Sequence, residues 1–223
     1  MEERRVASFN IDVFADKANA KDVVTGILHT IFWYRIFANL EPSTHDVLDV
    51  SIPWIQDVDL QTLIEQRVDQ FVRQVDADSN DQNQNTRGQI VVQFSERERR
   101  RKKGWFGAKD EDLVWETWTL NIALASPRTH QATTSRKAIE KSLNNAVMKI
   151  TDIVLQNKDH VPPITTQDTN TFPYHVLVNP KNDGWGQRMA MSRPYKETIK
   201  ALILGIGRSI GKLFQVPALP TLL

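Results

Sequence analysis

The sequence predicts an α+β domain in which helices pack on a mixed or antiparallel sheet. Three observations carry that expectation. Apolar residues switch repeatedly between strict alternation and three-to-four spacing. The order that results is strand, helix, strand, helix, strand, strand, helix, strand, helix, with no internal repeat. The third and fourth strands also lie close enough along the chain to form a hairpin. A chain of 223 residues suits one domain able to bury well over half of its unfolded surface.

Phe9, Ile11 and Val13 alternate with polar residues as a strand with one buried face. From Lys17 to Phe37, Val23, Val24, Ile27, Leu28 and Ile31 recur at helical spacing, and Phe32, Trp33 and Phe37 broaden the stripe into a largely buried helix. Leu48, Val50, Ile52 and Trp54 return to period two, with Pro53 marking an edge strand or a strand end. Leu60, Leu63, Ile64, Val68, Phe71, Val72 and Val75 form a helical stripe opened by Asp57 and Asp59, which suit the positive end of a helix dipole. Residues 76–89 hold no large apolar side chain and read as a mobile loop. Their Asp76-x-Asp78-x-Asn80 start imitates a calcium loop, but Asp81 and Arg87 occupy the positions of the turn glycine and the bidentate glutamate. Ile90 to Phe94 is a short strand. Val114 to Ala125 is a longer one with Val114, Trp118, Leu120, Ile122 and Leu124 on one side and Trp115 on the other. Aromatics on both faces predict a central strand covered on both sides. Ser126-Pro127 suits a helix start, and periodicity is firm from Ile139 to Val154. Phe172, Tyr174, Val176 and Val178 alternate as a last strand before the turn residues from Asn179 to Gly184.

Composition excludes several classes. Lys plus Arg number 28 against 27 Asp plus Glu, a net charge of +1, so binding to nucleic acid by overall charge is not expected. The absence of cysteine removes disulfides, cysteine-ligated metals and thiol nucleophiles. The N-terminus has no apolar run, no stretch reaches a membrane span and no Asn-x-Ser/Thr acceptor occurs, so the expectation is a soluble cytoplasmic protein. No phosphate-binding, nucleotide-binding, hydrolase or zinc motif is present. His29, His45, His130, His160 and His175 lack metal-ligand spacing, and the pairs Asp57/Asp59 and Asp110/Asp112 fit a helix cap and a loop. No catalytic, metal or cofactor site is expected.

The most distinctive segment is the insertion 95–112. Six cations and one anion from Arg97 to Lys103 precede Gly104-Trp105-Phe106-Gly107, and the acids Asp110, Glu111 and Asp112 follow. Three readings fit these residues. The rings are exposed anchors for a protein partner; they fold into a pocket of their own domain; or Arg99 to Lys103 meet phosphates while Trp105 stacks on a base, as in a nucleic-acid-associated module that uses the basic run Arg97 to Lys103.

Leu28-His29-Thr30 with Arg35, Gln56-Asp57-Val58-Asp59, Gly88-Gln89-Ile90, and above all Trp105-Phe106 followed by Val114-Trp115-Glu116-Thr117-Trp118-Thr119 resemble the autophagy-related protein 101 family. These are HORMA-domain subunits of the autophagy-initiation kinase complex. The resemblance runs from the first strand to the helix ending near Val154 and fades after Pro162. It implies a HORMA fold with a protruding aromatic-tipped loop and a non-catalytic adaptor. It implies pairing with, and stabilising, the HORMA domain of autophagy-related protein 13, and localisation at the phagophore assembly site on starvation. Trp105 and Phe106 match the family's "WF finger", which recruits downstream autophagy factors. The family pattern has a proline between the two aromatics, where here they are adjacent.

The implied organisation is a HORMA domain over residues 1–194 and a C-terminal amphipathic helix with tail over 195–223, docked on the domain. Ile199, Leu202, Ile203, Ile206, Ile210 and Leu213 form its stripe, accompanied by Lys200, Arg208 and Lys212. These cations fit either packing against protein or a peripheral contact with an acidic membrane.

Overall fold

The computed structural model describes residues 6–37, 41, 43–78, 86–100, 109–125, 132–164 and 172–180. Their elements run β1 (Ala7–Asp16), α1 (Ala20–Trp33), β2 (Ser43–Val47), β3 (Val50–Trp54), α2 (Val58–Asp78), β4 (Thr86–Arg100), β5 (Lys109–Ala125), α3 (Ala132–Gln156) and β6 (Tyr174–Val178). The main sheet has the order β1-β5-β4-β6, and β2 and β3 form a separate two-stranded sheet. β1 runs parallel to β5, while β4 runs antiparallel to both β5 and β6. The sheet is therefore mixed, and the α+β arrangement agrees with the HORMA fold that the resemblance implies.

Alternation sets which face each strand buries. Ile11 and Val13 in β1, Leu120 and Ile122 in β5, and Ile90 and Val92 in β4 share one face by register. They join Val24, Ile27 and Ile31 of α1, Ile64, Val68 and Phe71 of α2, and Ile139, Leu143 and Ile150 of α3 in a single core. Asp57 caps α2, its Oδ1 accepting the Leu60 amide at 2.8 Å, so the cap reading of Asp57 and Asp59 holds at Asp57. Two glycines allow close approaches. A Cβ on Gly26 would lie 2.3 Å from Ile52 Cδ1, and one on Gly88 would lie 2.5 Å from Phe71 Cε2.

Several expectations are corrected. Leu48 does not belong to a strand; with φ of 55° it forms the turn between β2 and β3. A tight two-residue hairpin turn favours that left-handed backbone. β2 itself, SerThrHisAspVal with one buried residue, has too little apolar alternation to be read from sequence. Residues 76–78 continue α2 and residues 86–89 open β4, so the expected 76–89 loop is overturned at both ends, and 79–85 lie outside the described residues. The expected 95–112 loop is mostly ribbon, because the β4–β5 ladder continues six pairs past Phe94, from Ser95↔Val114 to Arg100↔Lys109. Asp110 and Asp112 are accordingly strand residues, in register with Arg99 and Arg97. Residues 195–223, with Lys200, Arg208 and Lys212, lie outside the described residues.

The central position expected for β5 is borne out, and residues on both of its faces are buried, Thr117 and Thr119 as well as Trp118 and Leu120, but Trp115 does not lie on the face expected for it. Phe94 pairs with Glu116 and Ser95 with Val114, which leaves Trp115 as an extra residue in β5. A bulge of this kind re-aims a side chain. Trp115 contacts Phe94, Phe172 and His160, and Phe94 meets Phe32 of α1. The ring therefore packs on the helix-covered face and not on the opposite one.

Candidate interaction site at the base of the ribbon

The four-stranded sheet ends at one level. β1 begins its pairing at Ala7↔Glu116 and β6 at Tyr174↔Phe94. Beyond that level, and past the tie of Ser95 to Pro173, β4 and β5 pair only with each other among the described residues, and the Trp115 bulge stands at the exit. Six further pairs at ~3.4 Å per residue make a two-stranded arm about 20 Å long. Register places Arg97 opposite Asp112 and Arg99 opposite Asp110, then Glu98 opposite Glu111 and Arg100 opposite Lys109. Two of these four register pairs thus join opposite charges, which favour pairing across a ladder, and two join like charges, which oppose it. Trp105 and Phe106 fall between the strand ends and outside the described residues, as do Arg101, Lys102 and Lys103.

A buried ionic cluster holds the arm's base. Glu116 is fully buried, and Arg35, at the end of α1, is 3% exposed. Arg35 Nε donates to both carboxylate oxygens of Glu116, at 2.8 and 2.9 Å. His160, after α3, places Nε2 2.6 Å from Glu116 Oε2, and the Trp118 indole N–H also donates to Glu116. Arg35 Nη1 donates to the Tyr34 carbonyl, and its guanidinium lies 5.9 Å from the centre of the Trp118 ring. One carboxylate thus ties α1, β5 and the segment after α3 together. The sequence signal was present but silent: Arg35 and Glu116 are charged residues in otherwise apolar surroundings, and burial makes such groups expensive unless paired.

Two other features matter. Met148 and Leu155 of α3 are 54% and 57% exposed; seven residues apart, they lie on one side of the helix. On the β2–β3 sheet, Trp54 stacks on His29 with ring centres 3.5 Å apart, and His45 lies 4.5 Å from the same ring. His29 is fully buried; burial, and secondarily the charge of His45, lower its pKa to about 4. A pocket of about 180 Å³ beside it is lined by Asp22, Thr25, His45, Asp46, Val47, Leu48 and Trp54. Among the described residues no group of three or more His, Cys, Asp or Glu could hold a metal ion, and no helix is long and apolar enough to cross a membrane.

Comparison with known proteins gives one consistent result. The family model for autophagy-related protein 101 matches residues 12–168. Autophagy-related protein 101 of Schizosaccharomyces pombe is 29% identical over 168 residues, covering 75% of this chain and 84% of that protein. The Arabidopsis thaliana protein of that name is 24% identical over 204 residues, covering 82% and 87%. The Homo sapiens protein is 22% identical over 167 residues, covering 70% and 75%. With most of its length matched by that model, and with the α+β architecture the match requires, the chain belongs to the autophagy-related protein 101 family.

Proposed function

We propose that the chain is a non-catalytic adaptor of the autophagy-initiation complex. It pairs with the HORMA domain of autophagy-related protein 13, joins the initiating kinase, and recruits downstream autophagy factors at the phagophore assembly site through Trp105 and Phe106. Its role in autophagy follows from the family. The observation that carries the finer reading is the arm: a ladder that outruns its sheet and closes on a segment containing two adjacent aromatics flanked by glycines. Adjacent large rings beyond a sheet are interface anchors with little rotamer entropy to lose. The exposed pair Met148 and Leu155 supports α3 as the face that pairs with the partner domain, since two large apolar side chains two turns apart lie on one side of the helix and open to solvent.

The test is the double substitution Trp105→Ala/Phe106→Ala in starved cells. Folding and partner pairing stay intact while autophagosome formation is lost. Normal autophagy would remove the finger reading, and an unfolded double variant would place the rings in the core. For Lys200, Arg208 and Lys212 we propose a contact with protein or with an acidic membrane. Flotation with anionic liposomes, with and without residues 195–223, separates these, and equal flotation removes the membrane contact.

A further inference from the structure

A regular ladder carries equal numbers of residues on its two strands and simply prolongs the sheet's own twist. An extra residue on one strand bends that strand and increases its local twist. In β4–β5 the register shift falls where β1 and β6 stop. We infer that the bulge at Trp115 is an aiming joint that sets the direction in which the arm leaves the domain, with Trp115 as its positioning residue. This inference rests on the adaptor reading, because the arm's direction decides where Trp105 and Phe106 meet a partner.

A bare bulge in a two-stranded ribbon would be soft, but this one is held on every side. The Trp115 ring, 5% exposed, lies 5.0 Å from Phe172, 5.6 Å from His160 and 6.0 Å from Phe94, centre to centre. On the facing strand, Ser95 donates both its amide, at 2.9 Å, and its hydroxyl, at 3.2 Å, to the Pro173 carbonyl. That carbonyl lies just outside β6, so the tie reaches one step past the last β4–β6 pair. The next residue of β5, Glu116, is fixed by Arg35 and His160. Both strands are therefore clamped at the bend. With an arm about 20 Å long, each 30° or so of redirection would carry its far end about 10 Å.

The absence of cysteine makes the direction measurable. Labels on Glu98→Cys in the arm and Asn144→Cys on α3, in the full-length chain, report it as a spin–spin distance. Two variants regularise the ladder from opposite strands: deletion of Trp115, and insertion of one alanine between Phe94 and Ser95. Trp115→Phe keeps both bulge and ring. The expected result is an unchanged distance for Trp115→Phe and a mean shift of about 5–10 Å for either regularised chain that keeps its native circular dichroism. Autophagosome formation is then lost although Trp105 and Phe106 are intact. An unchanged distance in a folded regularised chain overturns the joint. A shifted distance with full autophagosome formation overturns its aiming role. The finger reading fails separately, on Trp105→Ala/Phe106→Ala, so the two failures are distinguishable.

Discussion

Replacing Glu116 by glutamine changes little in shape and removes the charge from a fully buried carboxylate. Arg35 then retains a buried guanidinium with no anion among the groups it touches here. Arg35 Nη2 already lacks a hydrogen-bond partner among the described residues. The glutamine amide also turns donor hydrogens toward Arg35, His160 or Trp118, all of which donate to the carboxylate in the native cluster. Breaking a buried pair by removing one partner costs about 3–5 kcal/mol. For a domain of this size that corresponds to a fall in Tm of about 6–20 °C, at roughly 2–4 °C per kcal/mol. The assay is urea unfolding followed by tryptophan fluorescence, since Trp118 donates to Glu116 itself. A second variant, Arg35→Met/Glu116→Leu, removes both charges and leaves the Trp118 N–H and His160 Nε2 without their partner, the latter on a side chain that still reaches solvent. It is expected to be about 2 kcal/mol more stable than Glu116→Gln, despite carrying more changes. A loss below about 1 kcal/mol for Glu116→Gln, or a double variant no more stable than the single one, would refute the reasoning.

Acid should loosen the β2–β3 hairpin. Folded His29 binds a proton only near pH 4, whereas the unfolded chain binds one near pH 6.5. Its contribution is full above pH 6.5 and is lost as pH falls toward 4, by up to about 3 kcal/mol; His29→Gln flattens that part of a urea-midpoint profile against pH. Gly26→Ala drives a methyl into Ile52 and should cost about 1–3 kcal/mol by thermal unfolding, with partial recovery in Gly26→Ala/Ile52→Val. Met148→Asp/Leu155→Asp leaves Tm within about 1 °C, because both side chains are exposed, but abolishes co-purification of the partner HORMA domain.

Sequence made the layers legible where burial is regular. The stripes of α2 and α3 and the alternation in β1 follow from one-faced burial, which repeats at a period that pattern reading detects. It failed where neighbours rather than composition decide. Glu96 to Arg100 and Lys109 to Leu113 are highly charged, yet they are strands because each residue has a register partner across the ladder. Trp115 was assigned to the wrong face because parity assumes an unbroken ladder, and one bulge reverses it. The ionic cluster was invisible because Arg35 and Glu116 are 81 residues apart, and nothing local announces that they meet. The aromatic pair stands out for the opposite reason: Trp105 and Phe106 obey neither the helical nor the strand period.

The parallel pairing of β1 with β5 also constrains how the protein is made. Ala7 waits for Glu116 and Asp16 for Ala125, so the first strand emerges from a ribosome about 110 residues before β5, its sheet neighbour among the described residues. At roughly 5–20 residues per second that interval lasts about 5–20 s. During it α1, α2 and the β2–β3 hairpin can form local structure but have no central strand to pack on. Such long-range closure slows folding and leaves apolar surface open while it is pending. The nascent chain is then a client for chaperones until residue 125 is clear of the exit tunnel, and translation pauses placed before β5 should lower its soluble yield more than pauses placed after it.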